Sequence, residues 1–208
     1  MAPTTIAALR QTASDRVTVL LESGEEIKTT LNVVTDLRLY AGRELDETEL
    51  TRLRAATAAA RTRARALDLL SRRAMSEKEL FDKLVSKGED EHAAAETVAW
   101  LVQNRLLDDE SYAAALARHY SARGYGAGRV RQELQRRGLD RSLWDAAMGQ
   151  VSPAQDRIDK FIAARLKDPE DRDQVRKVTA ALARRGFGWD EIREALARFR
   201  AELEEEPN

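Results

Sequence analysis

Apolar positions change their spacing along the chain. Among the first forty-five residues, Arg16–Leu21 (RVTVLL) and Glu26–Leu31 (EIKTTL) are β-branched runs around the turn-like Glu22, Ser23, Gly24 and Glu25, which predicts a β-hairpin. Ile6–Leu9 is a candidate third strand. Asn32–Tyr40 is a candidate short helix stopped at Gly42, since glycine tolerates the left-handed cap conformation. From Asp46 onward the period is helical. Asp46 and Glu49 form a capping-box pattern that satisfies orphan backbone donors and starts a helix expected to run to Arg73. Ser76 and Glu79 repeat the pattern ahead of ELFDKLVSKG, where Leu80 and Leu84 share a face and Gly88 ends the helix.

That segment occurs in three versions. Gly88, Gly138 and Gly186 lie 50 and 48 residues apart. Each follows a cation (Lys87, Arg137, Arg185), with leucine four residues back (Leu84, Leu134, Leu182) and an aliphatic eight back (Leu80, Val130, Val178), one buried stripe per copy. A new stripe follows the second and third glycines (Trp144, Ala147, Met148; Ile192, Ala195, Leu196). The first copy inserts four residues, about one helical turn, before Val98, Leu101 and Val102. Upstream helices carry Ala66, Leu67 and Leu70, then Tyr112, Leu116 and Tyr120, then Ile158, Phe161 and Ile162. Each copy therefore reads as three helices, and a unit of about 50 residues buries its surface best by stacking on its neighbours. The expected fold is mainly α: three tandem three-helix repeats forming an elongated curved array, with a small N-terminal β-hairpin module. The expected divisions are the hairpin module at 1–45, a connecting helix at 46–60, repeats at 61–106 and 107–150, and a third repeat with an acidic tail at 151–208.

Composition narrows the chemistry. With no cysteine among 208 residues, a disulfide scaffold, a thiolate metal cluster and a cysteine nucleophile are excluded, and a reducing cytoplasm suits the chain. MAPTTIAALRQT lacks a basic segment followed by an apolar core, and no apolar run approaches about 20 residues, so the expectation is a soluble, unprocessed, cytoplasmic protein without a membrane span. The formal net charge of -1 conceals segregation. Arg52–Arg73 holds seven arginines against Asp68 alone, and Arg118–Arg141 holds seven against Glu133 and Asp140. The acids collect at Glu44–Glu49 and in Glu202, Glu204, Glu205 and Glu206.

Leu69–Gly88 (LLSRRAMSEKELFDKLVSKG) resembles the first-repeat signature of the RecX family. Leu101–Asp109 (LVQNRLLDD), Tyr112–Arg118 (YAAALAR) and Gly124–Gly138 (GYGAGRVRQELQRRG) are similar to the block that follows it. With the third repeat the likeness covers Arg61 to about Leu203, and the hairpin with GRELDETEL is similar to an extension that some members carry. The resemblance implies a non-catalytic protein that lodges in the groove of the RecA recombinase filament on single-stranded DNA and modulates, in the inhibitory sense, its ATP hydrolysis and strand exchange. It implies roles in recombination, DNA repair and the SOS response, and some affinity for single- and double-stranded DNA. It implies no cofactor. A monomer is expected.

Positions nine and two before each glycine fall opposite the leucines. They are Arg129 and Arg136 in the second repeat and Lys177 and Arg184 in the third, but Glu79 and Ser86 in the first. This column of cations, with Arg131 and Arg123, is the candidate binding surface for acidic protein or DNA phosphate, since arginine's planar fork pairs with either. The competing reading of these charges is an ordinary solvated helix face. Lys87, Arg137 and Arg185 read as complements to the helix dipole, and Trp100, Trp144 and Trp189 as core.

Enzyme chemistry finds little support. Gly124–Gly128 follows no strand and lacks the spacing of a dinucleotide fingerprint or a Gly-Lys-Ser/Thr, so it reads as a turn and helix start. His92 and His119 stand 27 residues apart with nothing to complete a zinc site. Asp108, Asp109 and Glu110 suit a helix start. The alternative function is a direct DNA-binding or architectural protein, because compact three-helix units with arginine-rich stretches resemble helix-turn-helix domains.

Overall fold

The structure, a computed structural model, describes residues 3–150 and 153–205. Glu206 of the expected acidic tail lies outside the described residues. Contacts divide the chain into two compact units: residues up to Ala74 with Leu80–Leu106, and Met75–Glu79 with the chain from Leu107 onward.

In the first unit, β1 (Thr4–Gln11), β2 (Arg16–Leu21), β3 (Glu26–Thr30) and β4 (Glu44–Leu45) form an antiparallel sheet of order β3-β2-β1-β4. Val17, Val19 and Leu21 point inward with Ile6, Ile27 and Leu45, so the hairpin and third strand form as expected. The short helix α1 is Leu31–Asp36 and does not reach Tyr40. Arg38 takes the left-handed conformation at φ 51°, and the Leu39 amide bonds back to the Val34 carbonyl at 2.9 Å, turning Leu39 into the core. Gly42, expected as the stop, instead donates to the Ile6 carbonyl at 2.7 Å beside β4, a strand the spacing did not predict.

Helix α2 (Glu47–Arg72) opens on the expected capping box: Asp46 accepts from the Glu49 amide at 2.7 Å, and Glu49 from the Asp46 amide at 3.1 Å. Its first half buries Leu53 under the sheet, and its second half packs on α4 (Glu91–Gln103) through Thr62, Ala66 and Leu69. Leu69 takes the inward position expected of Leu67, which is 41% exposed. Leu80 and Leu84 of α3 (Glu77–Ser86) are fully buried.

The second unit holds two three-helix cores. Helices α5 (Asp109–Ala122), α6 (Ala127–Arg136) and α7 (Trp144–Gly149), the last preceded by a 3-10 turn at Arg141–Leu143, enclose Ala113, Ala117, Val130, Leu134 and Ala147. Helices α8 (Ala154–Ala163), α9 (Arg172–Arg184) and α10 (Trp189–Glu205) enclose Ile158, Ile162, Val178, Leu182, Ile192 and Ala195. Residues four and eight before Gly138 and Gly186 are thus inward, as the spacing predicts. Trp189 is not core: it is 64% exposed, because Ile192 and Ala195 occupy the inward face of α10.

One junction occurs twice in this unit. Gly186 closes α9 at φ +86°, and its end receives the start of α6: the Gly126 amide donates to the Arg185 carbonyl at 2.8 Å and the Gly128 amide to the Gly186 carbonyl at 2.9 Å. Gly138 closes α6 at φ +68° and receives the segment before α3, where the Ser76 hydroxyl donates to the Arg137 carbonyl. Ser76 also accepts from the Glu79 amide at 3.0 Å, so its hydroxyl serves both as cap and as bridge. A methyl on Gly186 would overlap the Arg129 backbone nitrogen, whereas a methyl on Gly88, also left-handed at φ +86°, would meet nothing within 4 Å.

That contrast sets a test. Gly186→Ala is expected to cost roughly 2–5 kcal/mol, the left-handed penalty plus overpacking, and Gly88→Ala only about 1–2 kcal/mol. Urea denaturation of both variants checks this, and equal losses would remove close packing at Gly186 as the cause.

Candidate interaction surface

The face of α6 that carries Arg129 and Arg136 also carries Glu133, four residues after the first and three before the second. Helical geometry puts all three side chains together. The Glu133 carboxylate, 6% exposed, accepts from Arg136 Nε at 2.9 Å and Nη2 at 2.6 Å, and lies 3.2 Å from Arg129 Nη2. Burial alone would push Glu133 up, but hydrogen bonding and charge from Arg136, with help from Tyr120 and Arg129, hold it below the usual carboxylate range. Tyr120 packs in turn on Tyr125, with ring centroids 5.7 Å apart, and meets His119 edge-on at 5.4 Å. Two of the expected binding cations are therefore committed to one buried acid, and together they present a single net charge.

Among the three equivalent positions of α9, the charge differs at one. Five residues before the glycine stands Ala181 where α6 has Glu133. Lys177 and Arg184 are both exposed and make no ion pair among the described residues. Lys177 lies close enough to Asp171 to help lower that carboxyl, after the larger contribution of the Gln174 amides. Arg123, at the end of α5, and Arg131, on α6, are likewise exposed without an ion pair. Of the expected binding cations, Lys177, Arg184, Arg131 and Arg123 are thus exposed without an ion pair among the described residues, while Arg129 and Arg136 are held on Glu133.

Other arginines do internal work. Arg137 reaches Tyr112 at 2.7 Å and Glu79 at 3.3 Å, and Arg185 reaches the Gly124 carbonyl at 3.2 Å while lying 4.8 Å over Phe161. Both stand at the C-terminal end of their helices, where a cation complements the dipole, and both also brace a junction. In the first unit, Arg54 pairs with Glu25 at 2.8 Å, Arg65 with Glu89 and Arg72 with Asp68 at 3.0 Å, and Arg63 lies 4.8 Å over Trp100. Much of that arginine-rich stretch is therefore neutralised or covered.

Carboxylates that could suggest catalysis are occupied at helix starts. Asp90, Asp108 and Asp171 accept first-turn amides. Asp109 is pushed up by burial and by Asp108 and Glu79, and it accepts the Glu77 amide at 2.9 Å. Among the described residues, no group of three or more histidines or acids is placed to hold a metal, and no helix is long and apolar enough to cross a membrane. Gly124–Gly128 is the turn that delivers α6 to Gly186.

Glu133 generates a pH dependence. A carboxyl lowered in the folded state adds stability that is present above its unfolded value and is lost as pH falls through the folded one. The stability lost by Glu133→Gln is thus expected to be largest near neutrality and to shrink as pH falls below the ordinary glutamate range. Urea melts of parent and variant at several pH values check it, and a difference that does not change with pH would contradict the assignment.

Three family models match the chain: RecX, first three-helix domain, over residues 63–101; RecX, second three-helix domain, over 108–148; and RecX, third three-helix domain, over 162–196. A regulatory protein RecX of Stenotrophomonas maltophilia is 40% identical over 134 residues, 63% of this chain and 82% of that one. One from Bacillus licheniformis is 29% identical over 189 residues, 88% and 72%. A crystal structure of regulatory protein RecX matches with a TM-score of 0.75 at 26% identity, over 92% of this chain and 99% of that one. The RecX structure from Lactobacillus salivarius, at 22% identity and TM-score 0.62 over 70% and 99%, shares the fold.

Proposed function

The chain belongs to the RecX family, whose matched relatives are named regulatory proteins, and on that premise we propose that it acts without catalysis, by binding the RecA filament on single-stranded DNA and lowering its ATP hydrolysis and strand exchange. The observation that carries the reading is the pair of exposed cations on α9, Lys177 and Arg184, which make no ion pair among the described residues and stand on a helix whose end is fixed against α6. A filament groove offers both carboxylates and phosphates, and these side chains suit either. Arg131 on α6 and Arg123 at the end of α5 are further exposed cations of the same unit, and Arg129 and Arg136 contribute through the fixed geometry that Glu133 gives them. In this reading the protein works as a monomer in the cytoplasm, in recombination and repair, and needs no cofactor.

Direct DNA binding is the second reading, favoured by the same exposed cations on three-helix units. The two separate on salt and on partner. A bare-DNA binder loses affinity steeply as salt rises, by counterion release, and needs no recombinase.

Adding the protein to its cognate recombinase is expected to suppress DNA-dependent ATP hydrolysis at substoichiometric protein. Lys177→Glu with Arg184→Glu should raise the concentration needed by about tenfold, while Arg61→Glu on α2 should not. Unchanged inhibition by the double variant would sink the assignment of this face. An inert protein that binds bare DNA tightly would favour the second reading.

A further inference from the structure

The sheet of the first unit ends on a row of unpaired backbone groups. β3 stands at one edge of the order β3-β2-β1-β4 and pairs with β2 alone. In an antiparallel ladder, residues facing each other alternate between pairs that exchange hydrogen bonds and pairs that do not. Just beyond the ends of β3, the Leu21 amide donates to the Glu25 carbonyl at 2.9 Å and the Leu31 amide to the Asp15 carbonyl at 3.1 Å, which fixes the alternation. Ile27 and Thr29 therefore bond to β2, and the amides and carbonyls of Glu26 and Lys28 point away from it. Among the described residues, these outward groups have no hydrogen-bond partner.

The two faces of β3 differ. Ile27 and Thr29 are buried, and Thr29 accepts a hydrogen bond from Thr57 of α2 at 2.9 Å, while the neighbouring Glu25 pairs with Arg54. Glu26 and Lys28 are exposed on the other face and make no ion pair among the described residues. An open edge invites another strand, and a lysine placed on it is a usual defence. That defence works only in registers that set like charges opposite. When a second β3 lies antiparallel against the first, outward backbone groups meet outward backbone groups, and side chains keep to their own face. Three registers oppose Glu26 and Lys28 in this way. Centred on Glu26, the pairing sets two glutamates against each other, and centred on Lys28, two lysines. Centred on Ile27, it sets Glu26 of each copy opposite Lys28 of the other, so that both pairs exchange backbone hydrogen bonds and both oppose unlike charges. A strand that carries both charges at this spacing is its own complement about a two-fold axis, which makes a second copy of the chain the matching partner.

We infer that β3 is a self-pairing edge, through which two copies of the chain join about a two-fold axis at Ile27 into one continuous sheet. Four backbone hydrogen bonds and two exposed ion pairs make a small interface, so the association is weak. The monomer remains the form that acts on the filament at low concentration, and the pairing does not depend on that reading.

Sedimentation equilibrium of the full chain in low salt tests the inference. The mean mass should rise from that of one chain at about 1 μM toward that of two at about 300 μM, a range suited to a small interface. Glu26→Lys and Lys28→Glu each set like charges opposite and should weaken the dimer about tenfold. The exchanged variant, Glu26→Lys with Lys28→Glu, restores unlike charges and should dimerise as the parent does. Amide hydrogen exchange at Glu26 and Lys28 should slow as concentration rises, while that at Ile27 and Thr29, already bonded to β2, should not change. A parent that stays monomeric over this range overturns the inference. Association that survives either single reversal, or that the exchanged variant fails to restore, also overturns it, since another surface would then carry the contact. Amides of Glu26 and Lys28 that slow only when recombinase is added overturn it as well, since the edge would then take a partner's strand. Inhibition of the recombinase, assayed at low concentration, reads the filament proposal separately.

Discussion

The closing of one helix on a glycine and the arrival of another helix start at that point is the contact on which the second unit depends. A helix end leaves carbonyls without partners and a helix start leaves amides without partners. At Gly186 the two sets satisfy each other, as the Gly126 and Gly128 amides meet the Arg185 and Gly186 carbonyls. The dipoles of α9 and α6 meet there with opposite partial charges. Gly126 has no side chain with which to cap α6, and the end of α9 does that work for it. Close approach demands glycine on both sides, which is why a left-handed residue and a small residue are paired across the contact.

This contact also fixes the helix that carries the proposed charged face. Because α9 is fixed at its end, Lys177 and Arg184 project from a rigid element, and a partner loses less side-chain and backbone freedom in meeting them. One residue decides the difference between the two helices. Glu133 on α6 pairs with Arg129 and Arg136 and neutralises half of their charge, whereas Ala181 on α9 leaves the corresponding cations without an ion pair among the described residues. Removing either arginine would leave the buried carboxylate with only its other partner, so the two positions hold the structure of this face together.

What could be read from the sequence was local. The Asp46 and Glu49 capping box, the left-handed glycines and the leucines four residues before them depend on neighbours within one or two turns, and each is where its spacing placed it. The departures come from tertiary packing. Arg38 took the left-handed cap because Leu39 had to turn inward, leaving Gly42 for a different turn. Leu69 displaced Leu67 from the α2 core by two positions on the same helix. Glu133 was legible, since an acid four residues from one arginine and three from another announces an ion pair on a helix. The exposure of Trp189 was not, because it depends on Gly188 fixing where α10 begins.

The central claim is that the start of α6 is capped by the end of α9. Amide hydrogen exchange at Gly126 and Gly128 tests it most directly, since amides at a helix start lack intrahelical acceptors and ordinarily exchange fast. The account predicts that both exchange as slowly as the amides of Val130 and Leu134 in the core. Exchange at the rate of the solvent-facing amides at the start of another helix would contradict it.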